Sequence, residues 1–191
     1  MPKNNVPNSI ALKPTTIYGV TKVFMENMGN YYHVKHSVDF RSMRYPGVIS
    51  PYEYESHGTT DYASEIFFAA LKRIEYKICL SPDVVLPMTY LDDVVKGTLD
   101  LMFAESNKLT TRVYNIQGLS FSCQELADAI EKNYAGFKYR YEPDFRDAIA
   151  KTWPHDLNDE LARNDWNWNP KCKSVSSLIE IMKNSLKLTK L

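Results

Sequence analysis

From Ile17 to His36, apolar residues recur at helical spacing: Val20, Val23, Phe24, Met28 and Tyr31. Recurrence at i, i+3, i+4 and i+7 marks one face of a helix, so the pattern predicts a helix over 17–36. Pro14 stands ahead of it, and Thr15 or Thr16 is placed to cap it. The period then changes. Val38 to Tyr45 alternates apolar and polar residues, which predicts a strand that Pro46-Gly47 stops. A helix followed closely by such a strand is half of a βαβ unit. Residues 46–60 read as a long loop holding Gly47, Pro51, Gly58 and several tyrosines. Long loops inside compact domains usually carry function.

The rest of the chain keeps alternating. Asp61 to about Arg73 reads as a helix with Ile66, Phe67, Ala70 and Leu71 on one side. Short strands follow near Tyr76–Leu80 and Val84–Met88, and Asp92 or Asp93 is expected to cap a helix reaching about Phe103. Arg112–Ile116 reads as a strand. Ser122-Cys123-Gln124-Glu125 is a capping box opening a helix to about Tyr134. Phe137–Tyr141 alternates as a strand, Phe145–Lys151 and Asn158–Asn164 read as short helices, and a last helix spans roughly Ser174 to Leu186. Residues 1–14 read as a polar loop. Alternating strands and helices make the fold class α/β.

Composition narrows the function classes. The chain has 191 residues, enough for one domain with a sizeable core. It is 44% apolar and 24% charged, as ordinary globular proteins are. Net charge is zero, and no basic patch points to nucleic acid. No apolar run approaches the roughly 18 residues of a membrane span. The opening Met1-Pro2-Lys3-Asn4-Asn5 reads as neither a secretory signal nor a transit peptide. Cys79, Cys123 and Cys172 are far apart and form no Cys-x-x-Cys, so neither a disulfide framework nor a metal site is expected, and a reducing compartment fits. His33 and His36 lie one turn apart without a thiol or carboxylate partner and read as helix surface.

Tyr18 and Lys22 stand one turn apart where the first helix begins. A free phenol has a pKa of about 10 and is a poor base at neutral pH. A lysine charge beside it favours the phenolate. Such a pair can take a proton from an alcohol while its hydride leaves elsewhere. Tyr31/Lys35 and Tyr134/Lys138 repeat the spacing. Context separates them: Tyr31 lies deep in the same helix and Tyr134 at the end of another, both places where an aromatic packs.

Several motifs in order carry a resemblance. Tyr18-Gly19-Val20-Thr21-Lys22, then Arg44-Tyr45-Pro46-Gly47-Val48-Ile49-Ser50, resembles the extended short-chain dehydrogenase/reductase family, which includes nucleotide-sugar epimerases and dehydratases. Gly58-Thr59-Thr60-Asp61-Tyr62-Ala63 and Leu86-Pro87-Met88-Thr89-Tyr90-Leu91-Asp92-Asp93 narrow it to the short-chain type of L-threonine 3-dehydrogenase. Tyr141-Glu142-Pro143-Asp144-Phe145-Arg146 and Ile149-Ala150-Lys151-Thr152-Trp153-Pro154 continue the likeness, which covers nearly the whole chain.

The resemblance implies oxidation of the C3 hydroxyl of L-threonine by NAD⁺ to 2-amino-3-ketobutyrate. Tyr18 would be the general base, and Lys22 would assist it and bind the nicotinamide ribose. Tyr45, Pro46, Gly47, Val48 and Ile49 would border the nicotinamide at the carboxyl end of a strand. Thr59 or Thr60 would hold the amino acid, one capping the next helix while the other faces substrate. Trp153 would lie on the substrate side of the cleft; read from the residues alone, Trp153, Trp166 and Trp168 all pack. The fold would be part of a Rossmann-type parallel sheet over 1–116 with a small α/β substrate-binding lobe over 117–191. Family members dimerise through the catalytic helix and the one after it, here 17–36 and 61–73, which implies a homodimer. Bacterial members are cytoplasmic and animal ones mitochondrial.

Four departures shape the expectation. The family opens with a Gly-x-x-Gly-x-x-Gly turn that cradles the pyrophosphate, whereas the seven glycines here are scattered at 19, 29, 47, 58, 97, 118 and 136. The acidic residue for the adenosine ribose and the serine or threonine that precedes the catalytic tyrosine are missing too. The sequence therefore reads as the C-terminal portion of such an enzyme, its sheet left with an open edge and the chain alone inactive. Before Gly58, Glu55-Ser56-His57 replaces the family's glycine-rich run, and His57 there reads as surface. The rival readings are a nucleotide-sugar epimerase or dehydratase, and a non-catalytic fragment that binds a partner subunit.

Overall fold

The computed structural model describes residues 2–53 and 58–188; Glu55-Ser56-His57 lies outside the described residues. Helix α1 (Ile17–His36) begins at Thr16, whose hydroxyl accepts the Gly19 N–H at 3.1 Å. Such a cap contributes about 1 kcal/mol. The face by which α1 meets the body is not its apolar stripe. Gly19, Val23, Glu26, Gly29 and His33 are half-buried, while Val20, Phe24 and Met28 are exposed. Tyr31, expected to pack, is exposed as well, and no residue of α1 is fully buried. His33 is a correction in the other direction. Its Nε2 accepts from Arg112 Nε at 3.0 Å, so its Nδ1 carries the proton donated to the Val38 carbonyl at 2.8 Å.

Strand β1 (Ser42–Arg44) is shorter than its alternating pattern. Alternation along the segment still decides where each side chain goes. Phe40 lies under Gly29 of α1, and Arg44 pairs with Glu26 of α1. On the opposite face, Met43 joins an apolar cluster with Leu101, and Tyr45 bonds Thr98; both partners belong to α3 (Leu91–Phe103). Arg41 donates to the Leu101 and Ala104 carbonyls at the end of α3, at 2.6 and 2.7 Å. So α1 and α3 clasp β1 from its two faces.

The expected loop over 46–60 begins with a strand, β2 (Gly47–Ile49). The remaining strands are β3 (Tyr76–Ile78), β4 (Val85–Tyr90), β5 (Val113–Asn115), β6 (Leu119–Ser122) and β7 (Tyr139–Tyr141). β1 pairs with β5, β2 with β4, and β3 with β7, all parallel; β6 adds to β4 antiparallel. Parallel pairs need crossovers, and helices supply them. The helices after α1 are α2 (Tyr62–Lys72), α3, α4 (Cys123–Asn133), α5 (Phe145–Ala150), α6 (Glu160–Trp166) and α7 (Val175–Leu188). The capping box of α4 is formed in both directions. Asp92 and Asp93 do not cap α3. Its cap position is Tyr90, and buried Asp93 accepts the N–H groups of Lys171 and Cys172 at 2.8 and 3.0 Å.

Two apolar clusters form the core. The larger joins α2, β4, α4 and α7 through Phe67, Met88, Leu126, Ile130 and Met182. The smaller joins Leu101, Tyr114, Ile116, Ala162, Trp166 and Trp168. Packing crosses residue 116 in both directions, since 62–90 meets 119–137 and 162–168 meets 101–116. Helix α2 packs Tyr62, Ala63, Ile66, Phe67, Ala69 and Ala70 on the larger cluster.

The N-terminal segment is a strap rather than a free loop. Val6 is buried and bridges Leu157 in parallel. Asn8 caps the outer edge of β5. Its Nδ2 donates to the Val113 carbonyl at 2.8 Å, and its Oδ1 accepts the Asn115 N–H at 2.7 Å. The inner edge of β5 already serves β1, through Ser42 N to Arg112 O at 2.8 Å. One carboxamide thus does there what a further strand would do.

Candidate active site

Thr16 fixes the start of α1, and that start places Tyr18 and Lys22 on one flank. Tyr18 is 69% exposed, and Lys22 Nζ lies 5.1 Å from the centroid of its ring. The ammonium stands over the phenol's ring face. Met25 and Tyr32 continue this flank at seven-residue steps and are exposed. The opposite flank carries Val23, Asn27 and Asn30, which share a concavity with Asn8, Thr111 and Val113 on the β5 side. The Tyr18 flank therefore lies over the other side of β1, the edge that no strand pairs among the described residues.

Tyr45 leaves the end of β1 half exposed. The Thr98 hydroxyl donates to the Val94 carbonyl at 2.7 Å, so Tyr45 is the donor in its 2.9 Å bond to Thr98. Pro46 turns the chain into β2, where Val48 aligns with Thr89. Gly47 is a place of close approach. A Cβ built on it would sit 2.8 Å from the Thr60 methyl and would collide with the Met88 sulfur. Ile49 is fully buried, so its side chain belongs to the core.

Thr59 and Thr60 form the turn before α2 and are half-buried. Neither caps that helix with its side chain. The cap position is Asp61, whose carboxylate accepts the Gly58 N–H at 2.6 Å. Trp153 follows α5 at the edge of exposure, and its carbonyl accepts from Lys3 Nζ of the strap at 2.8 Å. The structure thus brings Thr60 to Gly47, sets Tyr18 and Lys22 on α1 across the open edge, and ties Trp153 to the strap. No hydrogen bond or ring contact among the described residues joins Tyr18 or Lys22 to the other candidates.

Sequence reasoning missed Glu26 and Asn8. Glu26 falls between positions of the apolar stripe, and its partner Arg44 is eighteen residues away. The one available signal was an arginine next to the Tyr45-Pro46-Gly47 motif on a strand face that needed a counter-charge.

The residues fit one end of a dinucleotide better than the other. Tyr18, Lys22 and Tyr45 offer two exposed phenols and an ammonium, which suits a nicotinamide ribose. The glycines offer no phosphate cradle. Gly29, Gly47 and Gly97 are filled by Phe40, Met88 and Trp168, and Gly136 stands in an open turn. Among the described residues, no group of His, Cys, Asp and Glu could hold a metal ion, and no helix is long and apolar enough to cross a membrane.

Residues 1–116 match the model of the NAD dependent epimerase/dehydratase family. The chain belongs to that family. It is similar to the mitochondrial L-threonine 3-dehydrogenase of Bos taurus, 44% identical over 168 residues, which are 87% of this chain and 45% of that protein. Among solved structures, the GalE-like L-threonine dehydrogenase of Cupriavidus necator superposes with a TM-score of 0.92 at 41% identity, covering 98% of this chain and 66% of that one. The L-threonine dehydrogenase of Phytophthora infestans superposes with a TM-score of 0.92 at 42% identity, covering 100% and 61%. The fold is accordingly of the Rossmann type. The chain spans about half the length of the curated relatives it matches.

Proposed function

We propose that this chain carries the proton-accepting and substrate-holding part of an NAD-dependent L-threonine 3-dehydrogenase. The observation that supports it most is the placement of Tyr18 and Lys22. They share an exposed flank of α1, over an open strand edge whose continuation leads through Tyr45 and Gly47 to Thr60. Tyr18 Oη takes the proton of the C3 hydroxyl. Lys22 supplies positive charge beside the phenol and a donor for the cofactor's ribose. Tyr45, Pro46, Gly47, Val48 and the Ile49 backbone border the nicotinamide. Thr59 and Thr60 hold the amino acid, and Trp153 closes the substrate side. NAD⁺, when bound, accepts the hydride.

The chain has no glycine-rich turn, so phosphate binding must come from another polypeptide or a further segment, and the chain alone is expected not to turn over. We assign residues 1–116 to the cofactor side and 117–191 to the substrate side. A homodimer would use the α1 face bearing Val20, Phe24, Met28 and Tyr31.

The test is a fusion. The N-terminal part of the Cupriavidus necator enzyme that this chain leaves unmatched is joined ahead of the full chain, and NADH formation is followed with L-threonine and with sugar nucleotides. Threonine-dependent NADH is expected. Turnover of a sugar nucleotide in its place would refute the reading.

A further inference from the structure

His33 and Arg112 meet where the last turn of α1 comes down beside β5. Arg112 Nε donates to His33 Nε2 at 3.0 Å, and His33 Nδ1 donates to the Val38 carbonyl at 2.8 Å. The imidazole is therefore neutral, with its proton on Nδ1. Arg112 is anchored by its other arm, whose Nη1 donates to Asp39 Oδ1 and to Ser106 Oγ, both at 3.1 Å. Its side chain is only 14% exposed. Helix α1 buries no side chain fully, so ties of this kind set its position. Glu26 with Arg44 holds the middle, Phe40 fills the space beside Gly29, and His33 with Arg112 holds the last turn.

A second proton on the ring dismantles this clasp. Both nitrogens of an imidazolium donate, so Nε2 no longer accepts from Arg112, and two cations face each other. The surrounding charges do not compensate. Asp39 faces the ring from the segment after α1, and Arg41 stands just ahead of β1. Arg41 Nε and Nη2 already donate to the two carboxylate oxygens of Asp39, at 3.1 and 2.7 Å. One carboxylate between two guanidiniums leaves the cluster cationic before His33 gains a charge. The carbonyl end of α1 favours a cation, but Nδ1 donates to Val38 in either state, so protonation adds no bond there. The bond from Arg41 holds the Asp39 carboxyl below the usual carboxylate range, so it stays charged in mildly acid solution. His36, the other histidine of this helix, lies against Tyr31 and Tyr32 instead.

We infer that His33 is a positioning residue: its neutral imidazole clasps α1 to Arg112, and protonation in mildly acid solution releases the helix. The released form binds the extra proton and the clasped form does not, so release grows as pH falls and reverses at neutral pH. The clasp stands on geometry; its effect on Tyr18 and Lys22, at the other end of the same helix, rests on the functional reading above.

The experiment is hydrogen exchange of the full 191-residue chain at about pH 7.5 and about pH 5.5, either side of the free imidazole's value of about 6.5. Rates are corrected for the intrinsic effect of pH, and α1 is compared with α4. Protection of α1 should fall about tenfold or more at the acid pH while α4 holds, since a bond from a charged group is lost. His33→Gln sets a carboxamide oxygen where Nε2 accepts and cannot titrate, so its α1 should stay protected at both values. His33→Lys, a permanent cation, should show the low protection at both. His36→Gln should behave as the parent. Circular dichroism confirms that each variant is folded. In the fused enzyme, kcat of the parent should fall toward acid more steeply than kcat of His33→Gln. The inference is overturned if α1 protection in the parent does not change with pH, if His33→Gln loses it as the parent does, or if His36→Gln abolishes the change. It is also overturned if the parent and His33→Gln share one pH profile of kcat in an active fused enzyme. The expected exchange pattern with an inactive fused enzyme would instead reject the functional reading and leave the clasp standing.

Discussion

Arg44 holds Glu26 by two parallel hydrogen bonds, Nε to Oε1 at 2.8 Å and Nη2 to Oε2 at 2.7 Å. The pair is mostly shielded, with side-chain exposures of 24% and 16%. A third arm of Arg44 reaches the Asn8 carbonyl at 2.8 Å and Asn115 Oδ1 at 3.1 Å. One guanidinium thus ties together α1, β1, β5 and the strap. Because α1 buries no side chain fully, this tie carries much of its attachment, and with it the position of Tyr18 and Lys22.

Removing one partner strands the other's charge in a half-buried site. Glu26→Gln is expected to cost about 2 kcal/mol, the range for hydrogen bonds to charged groups. Arg44→Lys should cost nearly as much, because an ammonium cannot reproduce the two-pronged geometry. Urea unfolding measures both. Hydrogen exchange should rise in α1 before it rises in α4; uniform acceleration would count against the tie.

Asn8 predicts a local effect. Asn8→Ala removes both bonds on the outer edge of β5 and should cost about 1–2 kcal/mol. The Asn115 amide should lose exchange protection while Tyr114, which faces β1, keeps its own. Equal loss at both would mean that the strap supports the strand in another way.

Much of the fold was legible because local signals agreed. The Ser122 box, the alternation around Tyr139–Tyr141 and the helical stripe of α1 each follow from neighbouring residues. β2 and β6 were not legible, at three and four residues beside prolines or glycines, too short for a period of two to stand out. The site shows the same division. Tyr18 and Lys22 are one turn apart and announce themselves. Glu26 with Arg44, and Asn8 with Asn115, meet only through the fold. The inverted seating of α1 was invisible for a related reason: periodicity locates an apolar stripe and says nothing about what covers it.

Asp165 predicts a pH dependence. Burial alone would raise its pKa, but bonds from Tyr114 Oη at 2.6 Å and from Thr110 N and Oγ1 at 2.7 Å outweigh burial and leave it lowered. A carboxylate with a depressed folded pKa stabilises above its unfolded value of about 3.9 and loses that contribution as pH falls through the folded one. Asp165→Asn should be less stable than the parent at neutral pH, by about 1–2 kcal/mol. The gap should close as pH falls below about 4. A gap independent of pH would contradict the assignment.

The thiols predict chemical silence. Burial pushes Cys79 and Cys172 up to about 11 and Cys123 up to about 12. All three are buried. A thiol reagent at about pH 8 should find no fast-reacting cysteine in the folded chain and three after denaturation. A rapid native reaction would show that one of these side chains is more open than its packing.

The central claim is that Tyr18 accepts the substrate's proton. The most direct test is the rate of threonine-dependent NADH formation in the fused enzyme, for the parent and for Tyr18→Phe, which keeps the ring and removes only the hydroxyl. The account predicts a fall of about 10²–10⁴-fold, the worth of a positioned acid–base group. An unchanged rate would contradict it.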